Sequence, residues 1–127
     1  KLLTRSGSCM NTVQPSDHEV GLAVQRLQGG FAYVGLVDEY DLSVCLLHAM
    51  FGGECSASEF TSANAGTNST SSSVYDTSVL EGFTDGFDGP VWQQGQVIFN
   101  NNLQLFGVSS ASCHACWAMK SMVLEHW

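Results

Sequence analysis

Two cysteines near the C-terminal end of the chain have the spacing of a chemically active pair. Cys113 and Cys116 form a C-x-x-C sequence, and cysteines at this spacing either chelate zinc or cycle between dithiol and disulfide. Zinc needs two further ligands, and the sequence offers no second C-x-x-C. Among its four histidines, His48, His114 and His126 are scattered single candidates. A redox pair usually opens a helix behind a strand, and no strand is predicted there. We therefore expect one or both cysteines to pair with distant partners.

The five cysteines of the chain are Cys9, Cys45, Cys55, Cys113 and Cys116. This number is high for a cytosolic domain of 127 residues and indicates one or two disulfides, formed in a secretory compartment or an organelle lumen. Because the number is odd, one thiol is left over within a single chain. We expect at least one disulfide between the N-terminal half and the Cys113/Cys116 region, with Cys9 as a candidate. The sequence leaves the pairing itself open.

One predicted helix carries a possible metal half-site or nucleophile pair. Asp41, Cys45 and His48 lie at i, i+4 and i+7 on one face, which fits a metal half-site or a Cys–His pair. A single histidine among apolar neighbours is more often a hydrogen-bonded core residue. Glu39 and His48 are the only candidates for catalysis, and the interpretation we favour assigns no catalytic residue.

Acidic residues precede two of the predicted helices. Asp38 and Glu39 stand before one, and Asp85 and Asp88 before the other. They could supply a general base or bind calcium, but the spacing around Asp85 does not fit an EF-hand loop. Helix capping accounts for Asp38 and Asp88. The phosphate-loop, dinucleotide and hydrolase-elbow motifs are absent from the sequence, so we predict no metal and no cofactor.

The charge balance restricts the partners of the chain. Four basic residues stand against twelve acidic ones, and the net charge is −8. Such a surface repels nucleic acid and anionic lipid. It favours a basic partner surface or serves solubility alone.

No apolar run approaches the roughly 20 residues of a membrane span, which leaves peripheral membrane association open. Asn68 begins an Asn-Ser-Thr sequon, a glycosylation candidate on a secretory route. The start at Lys1 shows no signal peptide, so we expect a mature protein or an excerpt.

The N-terminal half predicts a helix, a strand and a second helix. Ser16 and Glu19 have capping-box spacing at the start of the first helix, and Gly29 and Gly30 are predicted to end it in a left-handed conformation. Residues 31–36 are predicted as a short buried strand. Asp38 is predicted to cap the second helix. That helix has two apolar stripes, which indicate burial on most sides, and Gly52-Gly53 ends it. The stripes are Tyr40, Val44, Leu47 and Phe51, and Leu42, Cys45, Leu46 and Ala49.

The second half predicts a loop followed by further helices. Residues 56–73 are polar and of low complexity, which is typical of a flexible loop within one domain. Residues 74–83 predict a short helix. Asp88 as N-cap and Pro90 in the first turn predict a long helix that Gly107 ends, and Ser109 or Ser110 opens a last one. The sequence thus predicts a mainly α fold, about four helices with one short strand, in a single domain over residues 1–127.

The predicted strand and second helix resemble a family of algal and membrane-associated sulfotransferase-like proteins. In that family a strand reading roughly F-x-F-V-G-L-T-E-x-W/Y precedes a helix of the S-x-C-L-F/L-H type. A later segment has an acidic pair, an aromatic residue, "F…L…GV" and a cysteine. Val37 stands where the family usually has threonine. The first set of matching residues is Phe31, Val34, Gly35, Leu36, Glu39, Tyr40, Ser43, Cys45, Leu46, Leu47 and His48. The second set is Asp85, Asp88, Trp92, Phe99, Leu103, Gly107, Val108 and Cys113.

The resemblance covers most of residues 15–116 and implies the remnant of an α/β sulfotransferase-like fold, at the C-terminal part of the domain. Such enzymes take sulfate from 3′-phosphoadenosine 5′-phosphosulfate, which basic loops upstream of this part bind. Between Arg5 and Lys120 the only basic residue is Arg26, and a polyanionic donor needs several converging cations. We therefore expect a non-enzymatic accessory subunit that packs in a larger assembly, for instance a lumenal or peripheral subunit of an algal photosystem-type membrane complex. The alternative is a fragment of an active sulfotransferase whose donor-binding half lies outside this sequence.

Overall fold

The computed structural model of the chain describes residues 13–60, 77–114 and 116. Three α-helices follow one another: α1 (Asp17–Gly30), α2 (Tyr40–Phe51) and α3 (Asp88–Leu105). Two single turns of 3₁₀ helix, Ala57–Phe60 and Thr77–Leu80, lie between α2 and α3. The fold is therefore mainly helical, as predicted, and the described ranges contain no strand.

The first helix begins as the sequence predicts but ends differently. The N–H of Glu19 donates to the Ser16 hydroxyl over 3.4 Å, and the Glu19 carboxylate accepts from the Ser16 N–H over 2.9 Å, which completes the capping box. Gly29 and Gly30 do not form a left-handed cap; both belong to α1, and neither has a positive φ. The chain instead leaves α1 in extended backbone at Phe31, so no left-handed residue is needed.

The predicted strand at residues 31–36 is wrong, because the segment pairs with no second strand and the backbone groups of Leu36 bond to a side chain instead. The Ser43 hydroxyl accepts from the N–H of Leu36 and donates to its carbonyl, each over 2.9 Å. The Tyr33 hydroxyl donates to the Ser43 carbonyl over 2.6 Å. Ser43 is buried, so one serine of α2 anchors the connection from α1.

Gly35 is required by this anchor. A Cβ at Gly35 would overlap the Tyr33 hydroxyl and would come within 3.1 Å of the Ser43 Cβ. Burial raises the pKa of Tyr33, which keeps its hydroxyl protonated and able to donate. The neighbouring side chain of Val34 reaches α3 at the buried Gly95. The segment therefore connects α1 to α2 while touching α3.

The second helix starts one residue later than predicted and is buried on only one side. Its N-cap is Glu39, not Asp38, and no side chain caps it. The Glu39 N–H donates to the Leu36 carbonyl, so a backbone turn sets the start. Gly52, with φ of 80°, ends the helix as predicted. Leu46 is fully buried, whereas Phe51 on the other stripe is 60% exposed. The prediction that this helix is buried on most sides is therefore wrong.

The third helix has Phe87, not the predicted Asp88, as its N-cap, and the Phe87 side chain makes no capping bond. The Oδ1 atom of Asp85 accepts hydrogen bonds from the N–H groups of Phe87 and Asp88 over 2.8 and 3.0 Å. These two amides lower the pKa of Asp85, because they favour its ionised form. Asp88 is already the first helical residue and does not serve as the N-cap. Pro90 lies in the first turn, as predicted.

The end of α3 is a Schellman motif. Gly107 has φ of 64°, its N–H donates to the Gln104 carbonyl, and the N–H of Val108 donates to the Leu103 carbonyl over 2.8 Å. The helix thus stops just before Gly107, as predicted. The buried Val108 turns the chain back towards the core.

The core lies where α2, α3 and the segment after α3 meet. Its buried members form one cluster: Cys45, Leu46, Phe99, Val108 and Cys113. Half-buried side chains pack around them: Tyr33, Leu36, Leu42, Met50, Leu103 and Cys116. Helix α1 packs against α3, and Gln28 donates to Gln94 over 3.1 Å. Ala23 is the buried residue of α1.

The remaining predicted elements are described only in part. Of the predicted loop 56–73, the described residues contain the turn Ala57–Phe60, and the rest lies outside them. The short helix predicted at 74–83 is the 3₁₀ turn Thr77–Leu80 in the part that the structure describes. After a turn at residues 110–113, His114 and Cys116 have helical backbone, and the rest of the predicted last helix lies outside the described residues.

Replacing Ser43 by alanine tests the anchor of the extended segment. The change leaves the N–H and the carbonyl of Leu36 without their partner, and we expect a loss of about 1–3 kcal/mol in the free energy of unfolding. Urea denaturation of the oxidised protein measures this loss. Ser110→Ala, at an exposed serine, is the matched control and should be neutral. Equal stability of the two variants would show that the anchor contributes nothing.

Candidate functional site

Two disulfides connect α2 and the residues after it to the segment that follows α3. Cys45 pairs with Cys113 and Cys55 pairs with Cys116, with Cα atoms 6.0 and 5.3 Å apart. This confirms the predicted link between the N-terminal half and the Cys113/Cys116 region. Cys9 lies outside the described residues, so its role stays a prediction. Because the two cysteines of the C-x-x-C have different partners, they form neither a dithiol pair nor a zinc-chelating pair here.

The disulfides also exclude the nucleophile pair predicted on the face of α2 that carries Asp41, Cys45 and His48. Cys45 is bonded to Cys113, so it carries no thiolate and cannot serve His48 as a nucleophile. Over the described ranges, no group of three His, Cys, Asp or Glu residues could hold a metal ion. Cys45 and His48 line one cleft, whereas Asp41 lies on a separate groove.

A cleft of about 510 Å³ opens between the C-terminal end of α2 and the segment after α3. We call it the His48 cleft. The residues that line it are Cys45, His48, Ala49, Gly53, Glu54, Cys55, Phe106, Gly107, Val108, Ser112 and Cys116. Both disulfides therefore border the cleft, which has the size of an ordinary small-molecule pocket. The crosslinks hold its two walls together.

His48 is held by a carboxylate on the turn Ala57–Phe60. Its Nε2 lies 3.0 and 3.1 Å from the two carboxylate oxygens of Glu59. The Ser56 N–H also donates to Glu59, and the Tyr40 hydroxyl donates to the Glu59 carbonyl over 2.7 Å. The Ser56 amide, followed by the bond and charge of His48, lowers the pKa of Glu59. An ionised carboxylate only accepts, so the Nε2 of His48 carries a proton.

The other ring nitrogen of His48 is buried and has no hydrogen-bond partner among the described residues. In the neutral imidazole this Nδ1 is an acceptor, since the proton is on Nε2. A Cβ at Gly53 would lie 3.5 Å from Nδ1, so the absence of a side chain at Gly53 leaves room beside the nitrogen. Gly53 also has φ of 96°, a conformation that glycine adopts without strain.

The described groups lining the cleft can bind but offer no nucleophile. The lining cysteines are in disulfides. The Ser112 hydroxyl accepts the Ser109 N–H over 2.8 Å and donates to the carbonyls of Gly107 or Ser109. Glu39, the other catalytic candidate, lies on a separate groove with Asp38, Asp41 and Ser110. The structure therefore does not bring Glu39 and His48 into one site.

The sequence contains a signal for the partner of His48 that the prediction missed. Ser56 and Glu59 have the same S-x-x-E spacing as Ser16 and Glu19, and the Ser56 N–H donates to the Glu59 carboxylate just as in the capping box of α1. The spacing predicts the local turn. It does not predict the approach of that turn to α2. The glycosylation candidate Asn68 lies outside the described residues.

Comparison of the chain with protein-family models, curated proteins and solved structures finds no match. Within residues 13–60 and 77–116, apart from residue 115, no helix has the length and apolar character that crossing a bilayer requires.

Glu59→Gln tests the carboxylate that holds His48. A lowered pKa means that the folded protein favours the ionised form, so its contribution to stability is present at neutral pH and is lost as the pH falls through the folded-state pKa. We expect the variant to be less stable at neutral pH and to lose less stability on acidification. Thermal midpoints over an acid pH series measure this. Glu81→Gln, at an exposed carboxylate, is the control. A Glu59→Gln curve parallel to the native one would contradict the contribution of Glu59.

The two disulfides should differ in their accessibility to reductant. Cys113 is 1% exposed and Cys45 is buried, whereas Cys55 and Cys116 are half-buried on the cleft wall. A thiolate must reach a sulfur atom to exchange, so we expect dithiothreitol to open Cys55–Cys116 first. Timed alkylation followed by peptide mass spectrometry measures the order. Simultaneous opening of both bonds, or earlier opening of Cys45–Cys113, would contradict this.

Proposed function

We propose that the chain is a non-enzymatic accessory module that packs against a partner protein within a larger assembly. The observation that carries this is an unburied apolar face on α2, which we call the outer stripe: Tyr40, Val44, Leu47 and Phe51. Tyr40, Leu47 and Phe51 are 50, 37 and 60% exposed, and they recur along one side of the helix. Neighbouring exposed apolar side chains of this kind are typical of protein interfaces.

The partner that fits this face has an apolar centre and a basic rim. Asp38, Glu39 and Asp41 surround the N-terminal end of the outer stripe, and Glu54 follows its C-terminal end. Among the described residues the only lysine or arginine is Arg26, on α1. Complementary charge around an apolar contact speeds association and selects the partner. A partner with lysine or arginine around its own apolar patch therefore matches.

A binding role agrees with the chemistry of the His48 cleft. The described lining cysteines are in disulfides, and the Ser112 hydroxyl is bonded to the backbone of Gly107 and Ser109. Two disulfides in one small chain favour an oxidising compartment. We accordingly place the module in an organelle lumen or a secretory compartment.

The sulfotransferase-like resemblance supplies an origin for this module. The helix that carries the S-x-C-L-L-H sequence is α2, and the proposed origin is the C-terminal, helical part of such a domain. A lumenal or peripheral subunit of an algal photosystem-type complex is the concrete form of this proposal. The resemblance of the sequence motifs supports it, and the acidic charge and the exposed face of α2 fit a subunit.

Charge on the outer stripe should release the module from its assembly. We expect Leu47→Glu combined with Phe51→Glu to remove the tagged protein from its native complex in the cells that produce it, because burying two carboxylates in an apolar interface is costly. Blue native electrophoresis measures the complex. Both side chains are exposed, so the thermal midpoint should change little.

The control for this experiment is Val79→Glu, at a 73% exposed valine on the turn Thr77–Leu80, and it should stay in the complex. Retention of the stripe variant in the complex would contradict the proposed interface. Self-association of the purified native chain through the stripe, detected by light scattering, would replace the partner by a second copy and would also contradict it.

A further prediction concerns the sulfate donor. We expect no binding of 3′-phosphoadenosine 5′-phosphosulfate or its desulfated product to the isolated chain, because a polyanion needs several converging cations and Arg26 alone is available in the described part. Isothermal titration calorimetry measures this. Micromolar binding would overturn the non-enzymatic proposal and would favour a fragment of an active sulfotransferase.

A further inference from the structure

We propose that the His48 cleft binds a primary ammonium group carried on a short apolar stem. The proposal goes beyond the interface on the outer stripe, which lies on other side chains of α2. It follows from four features of the cleft: a fixed acceptor, room beside that acceptor, the sign of the surrounding charge and the apolar lining.

The acceptor is the Nδ1 atom of His48. When the ring is neutral, the contact with Glu59 fixes its proton on Nε2, and this leaves Nδ1 with a lone pair. Nδ1 is buried and unpaired among the described residues. A buried acceptor without a partner is costly. A ligand that donates to Nδ1 therefore forms a new hydrogen bond without breaking one within the protein.

Room for the donor exists because residue 53 is glycine. A Cβ there would sit 3.5 Å from Nδ1 and 3.9 Å from Cε1 of His48. The space that a side chain would fill opens on the same cleft, because Gly53 and His48 both line it. A small donor group that occupies this space lies beside Nδ1.

The charge around the cleft selects a cation over a neutral or anionic donor. Glu54 lines the cleft, and none of the described lining residues is lysine or arginine. The whole chain carries a net charge of −8. An ammonium group donates three hydrogen bonds and gains from this field, whereas a carboxylate or phosphate ligand is repelled by it.

The remaining wall of the cleft suits an alkyl chain. Ala49, Phe106 and Val108 contribute apolar surface, and the Cys55–Cys116 bridge lies beside them. A stem of a few methylene groups would bury apolar area here at about 0.8 kcal/mol per buried methylene. Free alkylamines and a lysine side chain of a partner protein share this chemistry. Binding of a partner's lysine depends on the proposed function, because it requires a partner protein. Binding of a free amine does not depend on it.

The experiment is a titration of the oxidised, full-length, ¹⁵N-labelled chain followed by heteronuclear NMR. The probes are n-butylammonium, n-butanol and butyrate, which share one stem, at mildly alkaline pH, where an imidazole is neutral and a primary amine is protonated. We expect n-butylammonium to shift the amides of Gly53, Cys55 and Val108, and to bind at least about tenfold more tightly than the other two. Equal binding of n-butanol, tighter binding of butyrate, or no shift with n-butylammonium would overturn the proposal.

Two variants locate the site. His48→Phe removes the acceptor and should abolish the shifts, while the matched His18→Phe, on the exposed surface of α1, should leave them unchanged. Since His48→Phe also breaks the contact with Glu59, Glu54→Gln at an exposed position provides a second test, and it should weaken n-butylammonium several-fold without weakening n-butanol. Unchanged affinity for n-butylammonium in Glu54→Gln or in a folded His48→Phe would contradict the assignment.

A last titration distinguishes the two sources of the ammonium group, a partner's lysine and a free amine. Nα-acetyl-lysine N-methylamide carries the same ammonium on a peptide unit. Binding of this compound at least as tightly as n-butylammonium supports a partner lysine. Its exclusion, while n-butylammonium still binds, supports a free small amine. The amine titration does not involve Leu47 or Phe51, so its failure and the failure of the proposed interface are distinguishable.

Discussion

The structure depends on the crosslink between Cys45 and Cys113 in the middle of a small core. The described core has few fully buried side chains, chiefly Leu46, Phe99 and Cys113, and a core of this size stabilises a chain only modestly. The bond joins residues 68 positions apart, and closing a loop of that length in the unfolded chain contributes about 4 kcal/mol in the chain-entropy model. It holds the segment after α3 against α2.

The same constraint builds the His48 cleft. One wall is the C-terminal part of α2 with the residues behind it, and the opposite wall is the segment from Phe106 to Cys116. The Schellman turn at Gly107 directs this segment back to the core, and the second disulfide closes the far side. A side of α2 that does not face these walls keeps the exposed outer stripe. The cleft and the stripe thus occupy different sides of α2, and we propose a separate binding role for each.

Local signals in the sequence predicted local structure well. The capping box at Ser16, the helical periodicity and the stops at Gly52 and Gly107 depend on neighbours within one turn, and the structure confirms them. Other local signals failed: Gly30 does not form a left-handed cap, and neither Asp38 nor Asp88 is an N-cap. The remaining errors concern features that distant residues decide. The segment 31–36 has strand composition, but Ser43 takes its backbone bonds. The stripe with Phe51 has the composition of a core but stays exposed. Burial of a helix face depends on whether the fold packs another element against it. Likewise, the contact of Glu59 with His48 joins two elements that spacing alone cannot relate, whereas the link to the Cys113/Cys116 region was predicted from the number of cysteines.

The functional account is a proposal that this crosslinked helical module acts through its exposed surfaces. The most direct test of the account is disulfide mapping of the native protein, by proteolysis and mass spectrometry without reduction. The account predicts the crosslinks Cys45–Cys113 and Cys55–Cys116. A chain with five free thiols, or one in which Cys113 is bonded to Cys9 instead of Cys45, would contradict it.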